Sequence, residues 1–207
     1  MGVFTINEKN YRLIFTKSNL TKDGIAEKET DYGDYFAWGA IEPWYNSYTI
    51  GTDGDGKPTV TSNDWKEGHS NGYANGTAPI FSPEYDSGQD FKMSDDPARK
   101  ILNGGWQIPT KAIWEALVDI NSKEWNNTKQ VCVFENNSQT LFLPAAGYVD
   151  GTSFSGVGSL SYYWSGSACL STGAYFLYFY DGGVGAQNYY YRYNGLSVRP
   201  VRLVEVP

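Results

Sequence analysis

The 207-residue chain reads as an α+β fold, and three observations carry that reading. The composition, with 23 Gly, 17 Tyr and 7 Trp against only 2 Met, favours turns and aromatic-rich strands over a helix bundle. Short alternating runs bounded by Gly, Asn or Pro recur near both ends of the chain. Helical periodicity with capping residues occurs only in the middle, and most strands follow it, which is an α+β order. Hydrophobic residues make up 41% and charged residues 19%, enough apolar surface for a sizeable core. A single domain over residues 1–207 is expected, because this length does not demand a split.

Taken in order, "VFTINEKNYRLIFTKSNL" (3–20) predicts an opening strand, or a hairpin that turns near Glu8 to Asn10. "YGDYFAWGAIEPWY" (32–45) is aromatic with Gly and Pro punctuation. Residues 46–89 are polar and rich in Gly, Asn, Asp and Ser, and predict a long loop or loop insertion. Ser94 is the expected cap of a helix in "SDDPARKILNGG", with Asp95 and Asp96 in its first turn and Gly104 and Gly105 as its stop. Thr110 is the expected cap of "TKAIWEALVDI", where Ile113, Trp114, Leu117 and Ile120 share one face. Strands are expected in "KQVCVFEN", "QTLFLPAAGY", "GAYFLYFYDG" and "NGLSVRPVRLVEV". Trp106, Trp114, Trp164, Val198 and Val201 are assigned to the scaffold, and Arg192, Arg199 and Arg202 to solvated or paired structural charge.

A net charge of −7 argues against a nucleic-acid partner. No run approaches the ~18 apolar residues of a membrane helix, so no membrane insertion is expected. "MGVFTINEKN" lacks the layout of a signal peptide and completes no myristoylation motif cleanly. Cys132 and Cys169 are compatible with one disulfide or with two idle thiols. "DGDGKPTVTSND" places Asp53, Asp55 and Asp64 near calcium-loop spacing, but Pro58 stands where that loop needs Gly and Asp64 where it needs Glu, so an Asp-Gly turn is the better reading. The lone His69 beside Glu67 reads as a solvated loop residue rather than a general base, and Ser165 lacks the pattern of a hydrolase elbow. No Cys and His cluster has zinc spacing. Neither an enzyme nor a cofactor or metal is expected.

Five pieces in order, "GDYFAWGAIEP", "DDPARKILNGGWQIPTKAIWEALV", "LFLPAAGYVDG", "YYWSGS" and "RYNGLSVRPVR", resemble the Fibrobacter major paralogous domain family. They are also similar to the variable proteins of diversity-generating retroelements from gut bacteria and their phages. The resemblance runs from about Val3 to Val204 and implies a C-type-lectin-like fold, distantly similar to the formylglycine-generating enzyme. Ile113 stands where the family usually has Glu, so Thr110 lacks the reciprocal partner of a capping box. That enzyme's two neighbouring cysteines have no counterpart here, so its oxidase chemistry does not carry over. The calcium-binding triplets of lectins are missing too: "EPW" at Glu42 to Trp44 lacks the amide, and "NDW" at Asn63 to Trp65 is out of order.

In the variable proteins the diversified positions lie near the carboxyl terminus, which the resemblance maps onto residues 161–194. Nine of the 17 tyrosines fall within residues 162–193, where an even spread would place fewer than three. In "AYFLYFY" alternation puts Tyr175, Leu177 and Phe179 on one face and Phe176, Tyr178 and Tyr180 on the other. One face is expected to pack inward and the other to be partly displayed. The expected ligand-binding patch comprises Ser167, Ala168, Ser171, Thr172, Tyr178, Tyr180, Asp181, Gln187, Asn188, Tyr189, Tyr190, Tyr191, Tyr193 and Asn194. Tyrosines would serve as anchors and the small polar residues as adaptable contacts. The expected function is recognition of a protein or glycan on another cell by a surface adhesin or phage receptor-binding protein, located at the cell surface or on the virion. The alternative is a non-diversified structural or lipoprotein module of the paralogous family.

Overall fold

A computed structural model describes residues 1–41, 43, 48–52, 58–62, 85–120, 122–150 and 153–207. The chain begins with β1 (Val3–Ile6) and β2 (Lys9–Phe15), whose alternation buries Phe4, Ile6 and Leu13 and exposes Val3 and Ile14. They turn at Asn7 and Glu8, both at positive φ (49° and 66°), so the turn comes slightly earlier than expected: Lys9 already pairs with Ile6. Two short strands follow, β3 (Leu20–Thr21) and β4 (Gly24–Ile25). Inside the region expected to be loop lies a hairpin of β5 (Tyr48–Thr52) and β6 (Pro58–Ser62). Asp53, Asp55, Asp64, Glu67 and His69 lie outside the described residues, as do Glu42, Trp44 and Asn63 to Trp65.

The first helix, α1 (Pro97–Leu102), is capped by Asp96 rather than Ser94. Pro97 at the first helical position fixes the start two residues later, since its ring suits N1 and it has no N–H to satisfy. The buried Asp96 carboxylate accepts from the N–H groups of Ala98 (2.9 Å) and Arg99 (3.3 Å), and its second oxygen accepts from Ile108 N–H (3.0 Å). Helix α2 (Lys111–Val118) begins as expected: Thr110 Oγ1 accepts from Ile113 N–H, and Ile113, Trp114 and Leu117 are buried.

Beyond the helices come β7 (Lys123–Asn126), β8 (Val131–Asn136) and β9 (Gln139–Pro144), forming one antiparallel sheet. A hairpin of β10 (Tyr148–Asp150) and β11 (Ser153–Ser155) leads to β12 (Leu160–Cys169), β13 (Gly173–Tyr180) and β14 (Gly183–Tyr191), again antiparallel in that order. Finally β15 (Val201–Glu205) pairs antiparallel with β2, so strands from both ends of the chain share a sheet. The described residues are therefore mostly antiparallel β with two short helices, an α+β arrangement. Residues 194–200, expected to open the last strand, instead cross the core through isolated bridges at Leu196 and Ser197.

The β12–β13–β14 sheet divides the core. On one face Tyr163, Leu177, Phe179 and Ala186 pack with Trp114, Phe134 and Leu143. On the other, Trp164, Ala174 and Phe176 pack with Trp38, Ile108, Leu196 and Val198. Both faces of β13 are thus buried at its centre, and the expectation that one face is displayed fails there. Between Trp164 and Ala168 the β12–β13 register breaks, releasing main-chain groups to other partners. Gly166 N–H donates to Pro109 O (2.9 Å), and Trp38 Nε1 donates to Ser165 O (2.8 Å).

Arg199 and Arg192 are both buried, so of the expected alternatives, solvated or paired structural charge, the first fails and a partnered structural role remains. The Arg199 guanidinium donates through Nε to Asn19 Oδ1 (2.8 Å), through Nη1 to Thr16 O (3.1 Å) and Lys17 O (2.9 Å), and through Nη2 to Phe142 O (2.9 Å). Burial pulls its pKa down to about 10, with the Tyr163 hydroxyl opposing the shift. Arg199→Ala strands four acceptors and opens a void, so we expect a loss of at least ~3 kcal/mol in urea unfolding. Arg199→Lys should recover little of it, because an ammonium lacks the planar fork.

Candidate functional site

The sheet sorts the tyrosines of the C-terminal cluster by register. Tyr175 pairs with Tyr189 and Gly173 with Tyr191, which puts Tyr175, Tyr189 and Tyr191 on the face that α2 covers. Ala174 pairs with Tyr190, so Tyr190 points the other way, towards Tyr148, Tyr162 and Phe176. Tyr180 and Asp181 sit at the β13–β14 turn, whereas Ser171 and Thr172 sit at the β12–β13 turn. Eight residues of strand separate these ends, roughly 25 Å. The fourteen expected residues therefore do not converge on one spot.

One group does converge. Around the β12–β13 turn stand Leu170, Ser171, Thr172, Tyr189, Tyr191 and Tyr193, and all but Tyr193 are exposed. Tyr191 and Tyr193 stack at 5.3 Å with their planes 5° apart. A second group at the far end holds Tyr178, Tyr180 and Asp181, with Tyr178 and Tyr180 stacked at 6.5 Å. Tyr180, Tyr189 and Tyr191 each keep about half their surface open (48%, 50% and 49%). Gln187 and Asn188 are exposed between the groups, where β14 carries one extra residue.

Three expected residues lie beneath the surface. Ser167 is buried with its hydroxyl on Asp90, Ala168 is fully enclosed, and Asn194 is 1% exposed. The register break in β12 turns Ser167 and Ala168 towards the segment containing Gln89 and Asp90, whose backbone binds theirs. Ser165 is also fully buried, and its Oγ accepts from Ser167 N–H (3.0 Å).

The displayed rings rest on glycines. A Cβ on Gly185 would meet the Tyr178 ring at 2.8 Å, and one on Gly173 would meet Tyr189 Cδ2 at 2.9 Å. Absence of a side chain at these positions lets each ring lie flat across the neighbouring strand. Below them the buried Arg192 donates from Nε to Gly173 O and from Nη2 to Leu170 O (both 2.9 Å), and its guanidinium lies 4.4 Å from the Trp38 ring centroid. This clamp fixes the β12–β13 turn from inside.

Sequence reasoning missed Leu170, Tyr148 and Tyr162. Leu170 is half exposed at φ 59°, a left-handed conformation unfavourable for its side chain. Nothing in "ACLSTG" marks it apart from its place at the turn. Tyr148 lies outside the tyrosine-rich segment, yet stacks on Tyr162 at 4.7 Å and receives Tyr190 edge-on at 5.3 Å.

Burial, then the adjacent Tyr148, holds the Tyr190 phenol well above its ordinary value; burial, then Tyr148 and Tyr178, raises Tyr162. Burial also pushes Tyr163 up to about 12. Cys132 and Cys169 are buried free thiols, and burial pushes Cys132 up to about 12. Among the described residues no group of three or more His, Cys, Asp and Glu is placed to hold a metal, and no helix is long and apolar enough to cross a membrane.

A family model described as a domain of unknown function (DUF8237) matches residues 115–201. The match runs from within α2 to the first residue of β15, and so contains the whole β12–β13–β14 sheet and its turns. No curated protein and no solved structure matches the chain.

Two outcomes follow from this geometry. The folded-state pKa values of Tyr162, Tyr163 and Tyr190 exceed the unfolded value of ~10, so their contribution is complete below pH ~10 and is lost as pH rises through and beyond it. Urea midpoints measured from pH 9 to 12 should fall, and fall less in Tyr190→Phe. Leu170→Gly relieves the left-handed strain and should leave stability unchanged or raise it by up to ~1 kcal/mol, measured by the same titration.

Proposed function

We propose that the chain is a recognition module of C-type-lectin-like architecture, related to the retroelement variable proteins and the Fibrobacter paralogous domains. Support for that architecture comes from the ordered motifs, the sheet shared by β1, β2 and β15, the two short helices and the central β12–β13–β14 sheet. Its ligand would be a protein or glycan on another cell, met from a bacterial surface or a phage virion. The observation that carries this reading is the pair of half-exposed rings, Tyr189 and Tyr191, beside a β12–β13 turn clamped from within by Arg192, with Tyr180 half-exposed at the far end of β13. Rings already fixed in place lose little freedom on binding, so their area converts efficiently into affinity. The principal surface is the β12–β13 turn with Tyr189, Tyr191 and Tyr193; Tyr178, Tyr180 and Asp181 form a second contact.

A structural module without diversification is the competing reading, favoured by the packing of Tyr190 against Tyr148 and Tyr162. Replacement of both Tyr189 and Tyr191 by Ala discriminates between the two. On the recognition reading the melting temperature stays within about 5 °C, while signal on an array of glycans and surface proteins disappears. A collapse of the melting temperature would favour the structural reading. At the gene level, a near-copy of the codons for 161–194 beside a reverse transcriptase gene, differing at adenines, is expected.

A further inference from the structure

The two outer edges of the β12–β13–β14 sheet are treated differently. Along β12 the edge is closed: Gly147 N–H donates to Leu160 O (2.9 Å), and Trp164 N–H donates to Ser197 O (3.0 Å). Along β14 no described residue closes it. Among the described residues, the backbone from Gly183 to Tyr190 pairs with β13 and with nothing else. Exposed edges are ordinarily blunted by Lys, by Pro, by brevity or by a bulge. This one has nine residues, "GVGAQNYYY", with no charge and no proline. A bulge between Gly185 and Asn188 interrupts the middle of the strand, leaving Asn188 to Tyr191 as the stretch in regular register.

Beside the same edge lies a cavity of about 600 Å³ between α2 and β14, lined by Glu115, Val118 and Asp119 of the helix side and by Tyr178 and Val184–Asn188 of the sheet. Glu115 and Asp119 are its charged residues. Glu115 is engaged with Lys111, and Asp119 is exposed. With a chain charge of −7, two copies meeting edge to edge would oppose like charges here, which disfavours self-pairing.

Building on the recognition reading above, we infer that β14 takes up an extended segment of a partner protein as an added strand, with a lysine or arginine of that segment entering the cavity beside Asp119. Main-chain hydrogen bonds would supply affinity, Tyr189 and Tyr191 would cover alternate side chains, and the acidic cavity would select the basic one.

Selection of a random dodecapeptide display library on the folded chain tests this. Enriched peptides should share a proline-free run of alternating β-branched or aromatic residues with at least one Lys or Arg. A synthetic binder should raise amide-exchange protection within residues 187–191 by about tenfold or more. N-methylation of alternate peptide amides, or Asp119→Lys in the protein, should weaken binding by about tenfold or more. Binders that protect no β14 amide and tolerate N-methylation would overturn strand addition; if they still required Tyr189 and Tyr191, the recognition reading would survive it. Self-association of the free chain through β14 would overturn the choice of partner. Absence of any enriched binder would count against strand addition, leaving the glycan arm of the array to judge recognition on its own.

Discussion

The fold depends on one buried cation. Arg199 sits where the strand that closes the chain approaches the turn after β2 and the end of β9, three parts that share no sheet at that point. Removing a guanidinium from water is costly, and only a full set of acceptors offsets that cost. Here Asn19, Thr16, Lys17 and Phe142 provide it, and the Tyr163 hydroxyl joins from the central sheet. Tyr163 in turn donates to Pro144 O (2.9 Å) and receives from Asn19 Nδ2 (3.0 Å), so the same junction fixes β12. With β12 held, the neighbouring β13 and β14 inherit its orientation through their ladders.

A second, smaller junction repeats the logic nearer the surface. Asp96 caps α1 and also receives Ile108 N–H, which ties the helix to the segment entering α2. Its pKa is raised by burial while the three N–H groups and Arg99 oppose that shift, a balance between desolvation and hydrogen bonding. Arg192 then closes the β12–β13 turn. Among the described residues the result is a graded structure, densely fixed at its centre and open at the sheet's ends and at one edge.

Much of this was legible in the sequence. Local signals worked where chemistry is local: Thr110 as a cap, the Ile113–Trp114–Leu117 face, and the alternation of Phe4, Ile6 and Leu13. They failed where two local signals competed, as with Ser94 and Asp96, where proline decided. Alternation could not show that β13 is buried on both faces, because that depends on which elements cover it. Nor could it foresee which of the adjacent Tyr189 and Tyr190 would be displayed, or that Tyr180 would lie at the far end. The partners of Arg199 could not be read from the sequence because its acceptors lie up to 183 positions away. Ser167 and Ala168 were misplaced by a register break with no residue signature beyond Gly166.

The acceptors chosen by the large buried donors share a property. Trp38, Trp114, Trp164, Tyr35, Tyr163 and Arg192 all direct their hydrogens at carbonyl oxygens. A carbonyl is present whatever residue carries it. Side chains along the outer strands can consequently be replaced without erasing the points to which the interior is fastened. Such a skeleton outlasts changes in its own wording.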